Sequence, residues 1–181
     1  MNFLLIVTFI SLIATVYGFE PPRKPCEKVD QFSQLISIVS YNNSNETYWQ
    51  ATPGKEMKVD FIFVAKEGFG KIEQAIYAIL DPKGGPGGKP LELSYEKPED
   101  ACKFINSTSC PSEGIKKDQP YRMNLSFVVP AAVPKIALEV RFIVRETITS
   151  KRLTRLQKTN WMKHPGKMII CYRLPVQVVY N

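Results

Sequence analysis

The strictest constraint on this chain is a side-chain period of two, repeated over much of its length. In "YRMNLSFVV", Tyr121, Met123, Leu125, Phe127 and Val129 fall on one side, while Arg122, Asn124 and Ser126 fall on the other. "IALEVRFIVR" repeats the pattern, with Ile136, Leu138, Val140, Phe142 and Val144 set against Glu139, Arg141 and Arg145. "KMIICYRLPVQVVY" puts Met168, Ile170, Tyr172, Leu174, Val176 and Val178 on a common face. Successive side chains of a strand point to opposite faces, so this alternation predicts sheets with one dry and one wet face. "QLISIVS", "MKVDFIFVA", "KIEQAIYAIL" and "PLELSYE" bring the total to about seven strands with turn-rich joins, and no long stretch has helical spacing. Such a chain is expected to be all-β, a sandwich of two antiparallel sheets.

The compartment is written at the start. Residues 1–18, "MNFLLIVTFISLIATVYG", carry no charged side chain, have an apolar run from Phe3 to Val16, and end in Val16-Tyr17-Gly18. This reads as a cleaved signal peptide; polar Ser11, Thr15 and Tyr17 and the short span argue against a membrane anchor. Residues 19–181 then form a single domain, large enough to bury a core. With 44% hydrophobic and 23% charged residues, its composition is that of a globular protein. Four cysteines follow the leader, Cys26, Cys102, Cys110 and Cys171, and in an oxidising compartment they predict two disulfides, with three connectivities open. A zinc site is the weaker reading, because there is no Cys-x-x-Cys pair and the one histidine, His164, stands apart. Sequons at Asn42, Asn45, Asn106 and Asn124 agree with passage through the secretory route, and Asn124 falls on the wet side of its strand.

The net charge of +7 suits an anionic lipid or glycan surface; for a secreted chain, nucleic acid is not the expected partner. "DPKGGPGGKP", Asp81 to Pro90, lacks the Gly-Lys-Ser/Thr ending of a phosphate loop and leads into a strand, so it reads as a connection. "RETITSKRLTRLQKTNWMKHPGK" reads first as a solvated loop. Its Leu153, Leu156, Trp161 and Met162 leave contact with a membrane surface as the alternative. No catalytic constellation is visible: His164 has no nucleophile motif beside it, and most acids fall on outer strand positions or loops. Binding, without enzymatic activity, cofactor or metal, is the expected role.

Three motifs carry a resemblance. "DACKFINSTSCP", then "KKDQPYRMNLSFVVPAAVPKIALEVRF", then "IICYRLPVQV" resemble the ML (lipid-recognition) domain family, over about Cys26 to Val179 and most specifically from Asp100 onward. The resemblance implies an immunoglobulin-like β-sandwich with an apolar cavity between its sheets, and disulfides Cys26–Cys171 and Cys102–Cys110. It departs from the family's sterol carriers where "SYNNSNETYW" replaces a third disulfide, and where the loop between the last two strands is longer and more basic.

Carried over by residue, the lipid-binding lining implied is Met57, Val59, Phe61, Ile76, Phe127, Val129, Val133, Pro134, Ile136, Leu138, Val140, Phe142, Tyr172, Leu174 and Val176. The apolar corner "PAAVP" between two strands would form its mouth, with Val129, Val133 and Pro134 at the entrance. Sandwich cores are apolar with or without a ligand, so it is the resemblance, not the pattern, that implies a cavity. The implied function is a secreted or lysosomal carrier of a sterol or related lipid, which it would deliver to an anionic membrane surface or a lipid-accepting membrane protein. The alternative is an extracellular module recognising lipid or glycolipid in innate immunity or chemical signalling, through Lys151, Arg152, Arg155 and Lys158.

Overall fold

The computed structural model describes residues 22–41, 47–80, 91–94, 97–148 and 166–180. The expected leader, the sequons at Asn42 and Asn45, the connection 81–90, and Lys151, Arg152, Arg155, Lys158 and His164 lie outside the described residues. Apart from a 3-10 turn at Ala101–Lys103 and a single helical turn at Cys110–Glu113, the regular structure is strand: β1 Lys24–Pro25, β2 Ser33–Ser40, β3 Trp49–Ala51, β4 Glu56–Ala65, β5 Ile72–Leu80, β6 Leu91–Ser94, β7 Glu99–Asp100, β8 Pro120–Val128, β9 Ala137–Glu146 and β10 Met168–Val178. All seven segments with the period of two are strands, and β1, β3 and β7, of two or three residues, are too short to show any period. No helix among the described residues is long and apolar enough to cross a membrane.

The strands form an immunoglobulin-like β-sandwich. The larger sheet runs β1-β10-β9-β5-β6, with β3 also on β10 and β7 also on β5; the smaller runs β2-β4-β8. Pairing is antiparallel except for β3, which lies parallel to β10. Among the described residues, no strand belongs to both sheets. The layers are therefore held together by side chains, a few hydrogen bonds and the chain connections between them. Cys26 is bonded to Cys171 and Cys102 to Cys110, the pairs that the resemblance implies. The first ties β1 to β10 across 145 residues, a closure that stabilises by about 5 kcal/mol on the chain-entropy model.

The expected dry and wet faces need two corrections. The larger sheet is not wet on its outer face: Ala75, Tyr77, Ile79, Ile143, Met168 and Cys171 form a second buried cluster there with Cys26. On that face Arg145 is only 2% exposed and donates from Nε to Glu73 at 2.6 Å, so a residue that the alternation sends to solvent is a buried ion-pair partner. Met168 joins this cluster, not the inner core, because the register slips between Met168 and Ile170. A bulge of this kind moves every earlier residue of the strand to the opposite face. Chain geometry is equally strict at Gly114, which has φ 73°; a Cβ there would stand 1.8 Å from the carbonyl oxygen of Phe69, the partner strand position of Ile115.

On the smaller sheet, Asp60 sits at an outward position of β4 yet is 4% exposed. Tyr41 Oη donates to its Oδ2 at 2.6 Å, Arg122 Nε at 2.7 Å, and Asn124 Nδ2 to its Oδ1 at 2.5 Å. Asn124 is exposed on this outer face, as the alternation predicts. Burial alone would raise the Asp60 pKa. The hydrogen bonds from Tyr41, Asn124 and Arg122 and the Arg122 charge outweigh it, and the pKa lies below the ordinary aspartate value. A carboxyl depressed in the fold adds stability that is complete above its unfolded pKa, about 3.9, and is lost as pH falls through the folded value. Asp60→Asn is expected to lower stability at neutral pH by about 1–3 kcal/mol, and the deficit should shrink as pH falls below about 3.9. Urea midpoints of both proteins across pH measure this; a deficit independent of pH would show that the charge plays no part.

Candidate functional site

The interior of the sandwich collects almost every residue of the implied lining. Met57, Val59, Phe61, Ile76, Val129, Val140, Phe142, Leu174 and Val176 are buried in one core cluster, and Phe127, Val133, Ile136, Leu138 and Tyr172 pack half-buried against it. Pro134 alone is exposed, at the corner between β8 and β9. That corner is a turn closed by Val133 N–H donating to Pro130 O at 3.2 Å, and Tyr180 Oη also donates to the Val133 carbonyl.

Two spaces are associated with these residues. At one end of the sandwich lies a groove of about 1020 Å³, bounded by Leu80, Pro134, Ile136, Leu138 and Val176 and rimmed by Arg23, Lys24, Thr47, Tyr48, Glu139 and Arg173. Small-molecule sites commonly run about 300–1,000 Å³, so this groove is large enough for a lipid. At its rim Arg173 Nη2 donates to Glu27 Oε1 at 2.9 Å and Nη1 stands 3.8 Å from Glu139 Oε2. The Nε of Arg173 is buried without an acceptor among the described residues.

Between the sheets lies a void of only about 10 Å³, bounded by Phe61, Gln74, Met123, Leu125, Phe142, Val144 and Ile170. The implied apolar cavity is thus almost wholly filled by side chains. What fills it is aromatic. Phe142, on β9 of the larger sheet, has its ring centroid 5.1 Å from Phe61 of β4 and 6.0 Å from Phe127 of β8. Rings at these separations attract by about 0.5–1.5 kcal/mol beyond their burial.

The register places these features in order. On β5 the inner face reads Leu80, Ala78, Ile76, Gln74; opposite these on β9 stand Leu138, Val140, Phe142 and Val144. Leu80 and Leu138 border the groove, while Gln74, Phe142 and Val144 border the void. One apolar track therefore runs along the inner face of the larger sheet from groove to void. Six residues of strand separate Leu80 from Gln74, about 20 Å at about 3.4 Å per residue.

The two ends of this track are built differently. At the void end, hydrogen bonds join the sheets: Phe32 N–H donates to Met168 O at 2.8 Å, and Ser33 Oγ donates to Ile169 O at 2.6 Å. Beside them Cys171 N–H donates to Gln31 Oε1 at 2.9 Å, next to the Cys26–Cys171 bond. At the groove end the chain itself crosses between the sheets, through the β3–β4 connection and the β8–β9 corner, and Tyr180 Oη, after β10, donates to the Val133 carbonyl of that corner. Among the described residues, hydrogen bonds beside the starts of β2 and β10 tie the sheets at the void end.

Sequence reasoning missed two features here. Gln74 interrupts an apolar inner face and is 5% exposed; the polar residue within "KIEQAIYAIL" was its signal. Trp49, 1% exposed, carries a buried indole Nε1–H with no acceptor among the described residues; β3 is too short for alternation to place it. Among the described residues no group of three His, Cys, Asp or Glu side chains is arranged to hold a metal.

Truncating the central ring should cost the inter-sheet contact directly. Phe142→Ala is expected to destabilise by about 3–5 kcal/mol, read as a fall in the urea midpoint. A loss below about 1 kcal/mol would mean that the ring does not hold the sheets together.

No family model matches the chain, and no curated protein matches it. Solved structures do. A Niemann-Pick type C2 protein from Japanese carpenter ant superposes with a TM-score of 0.61 at 17% identity, covering 87% of this chain and 99% of that one. The C-terminal domain of wzt gives a TM-score of 0.45 at 11% identity, covering 92% of this chain and 84% of that one. The ant protein shares the fold over 87% of this chain; at that identity the likeness is one of architecture.

Proposed function

We propose that this chain is a lipid carrier, which holds a sterol or related lipid between its two sheets and receives it through the groove end. The observation that carries the reading is the apolar inner face that runs from groove to void. Entry requires the sheets to part near Phe142. That motion breaks no ladder, because no strand is shared between them. It exchanges contact between side chains for contact between side chains and lipid. Each apolar Å² that the lipid removes from water contributes roughly 25 cal/mol, which would offset the lost packing. The motif resemblance and the shared architecture of the ant protein support the same reading.

The leader at 1–18, the two disulfides and the four sequons support secretion or residence in the lysosome, with an anionic membrane surface or a membrane protein accepting the lipid. Among the described residues no catalytic arrangement stands out, and the role read here is binding and transfer.

The experiment is lipid mass spectrometry on an organic extract of protein purified from secreting cells, paired with titration of a fluorescent sterol. A lipid should co-purify, and the sterol should saturate at one site. Val133→Trp, which places a bulky ring beside the corner, should fold as the parent does and reduce sterol uptake at least about tenfold, equivalent to 1.4 kcal/mol. Absence of co-purifying lipid together with no sterol binding would refute the carrier reading. Unchanged uptake by the variant would place the entrance elsewhere.

A further inference from the structure

Two of the sequons lie within the described residues, and they meet on one surface. Asn124 stands exposed on the outer face of β8, with Ser126 exposed two residues on. Asn106 belongs to a separate loop, but residues 104–106 continue the smaller sheet beyond β8. Ile105 bridges Met123, Asn106 N–H donates to Arg122 O at 2.9 Å, and Asn124 N–H donates to Phe104 O at 2.8 Å. Ile105 and Met123 are buried in the core, so Asn106, one position on, is turned outward and exposed like Arg122 and Asn124. Asn106 and Asn124 are diagonal neighbours on adjacent strands, a relation that sets them about 7–8 Å apart. Asn124 has a further partner: its Nδ2 donates at 2.5 Å to Oδ1 of the buried Asp60, which stands opposite it on β4. Resting on the secretory reading above, we propose that Asn106 and Asn124 carry N-linked glycans side by side on the outer face of the smaller sheet, and that the linked amide of Asn124 remains a hydrogen-bond donor to Asp60.

The amide chemistry allows both roles at Asn124. Asparagine Nδ2 carries two hydrogens. Transfer from a lipid pyrophosphate-linked oligosaccharide forms the bond from Nδ2 to the sugar C1 and breaks the bond from C1 to the pyrophosphate oxygen. One amide proton leaves, and the lipid pyrophosphate is released. The second hydrogen stays, and one is what Asp60 Oδ1 takes. Asp60 is 4% exposed, so a modification that removed this donor would act against the fold. The order of events follows from the same contacts. In the folded sheet Asn124 is in mid-strand, paired with Asp60 on one side and bonded to Phe104 on the other, with Nδ2 on the Asp60 carboxylate. A transferase needs that nitrogen and its flanking backbone open, so attachment at Asn124 precedes the pairing of β8 with β4. The finished face then holds two bulky, hydrated groups over β8 and the residues that continue the sheet past it. Covering a sheet edge in this way hinders its pairing with other chains. The same cover keeps a membrane off this face and leaves the groove end for lipid exchange.

The test uses protein secreted from animal cells, with removal of the leader checked by N-terminal sequencing. Peptide N-glycosidase in heavy-oxygen water converts each glycosylated asparagine to labelled aspartate. Label is expected at both Asn106 and Asn124, and at neither without the enzyme. Thr108→Ala and Ser126→Ala keep the asparagines but remove the sequons, and each should lower the mass by one glycan. The glycosylated parent should melt no lower than Ser126→Ala. Asn124→Ala, which takes the donor from Asp60, should melt several degrees below both. Label missing from either residue of a secreted, processed chain would overturn the glycan pair and leave secretion and the lipid reading standing. A parent that melts several degrees below Ser126→Ala would show that the linkage breaks the Asp60 hydrogen bond, and Asn124→Ala melting together with Ser126→Ala would show that the bond has no weight; either result overturns the structural role of the linked amide. An unlabelled chain kept in the cytosol with residues 1–18 attached would instead refute the secretory reading on which the pair depends.

Discussion

The ring of Phe142 is the contact on which the two-layer arrangement turns. It reaches from the middle of the larger sheet to Phe61 and Phe127 of the smaller one, at 5.1 Å and 6.0 Å between centroids. Backbone ladders make each sheet rigid, but none crosses between them. Separation of the layers is therefore governed by side-chain packing, which is individually weak and non-directional. Such contacts can be replaced by another apolar surface at little net cost, whereas a broken ladder would leave backbone groups unpaired. On the carrier reading, such a sandwich exchanges phenylalanine packing for ligand while the Ser33–Ile169 hydrogen bond is kept.

Much of this was legible in the sequence because strands leave a period of two. Every segment of five or more alternating residues became a strand, and the inner faces of β8 and β9 were read residue by residue. The failures have distinct causes. A bulge before Ile170 moved Met168 to the outer face, and a bulge is invisible to a pattern that counts by twos. Arg145 and Asp60 stand where alternation sends residues to solvent; each is buried with a partner, Glu73 or Arg122, supplied by a strand far away in the chain. Alternation reports which face a residue takes, and not what covers that face.

The candidate site divides in the same way. That Phe61, Phe142, Leu138 and Val176 would face inward followed from pattern alone. That Phe61 and Phe142 would border a void while Leu138 and Val176 border a groove depended on register between strands. Gln74 was visible as a polar residue in an apolar row, but its place beside the void depended on the same register. Apolar pattern specifies a dry interior; whether that interior closes on itself or on a ligand is a matter of how easily its packing can be exchanged.

The most direct measurement is a crystal structure of the protein with a brominated sterol, located by the anomalous signal of the bromine. The account predicts the sterol between the sheets, in van der Waals contact with Phe142, with the Phe61–Phe142 separation increased beyond 5.1 Å and the Ser33–Ile169 hydrogen bond retained. Sterol confined to the outer groove, with that aromatic contact unchanged, would contradict it.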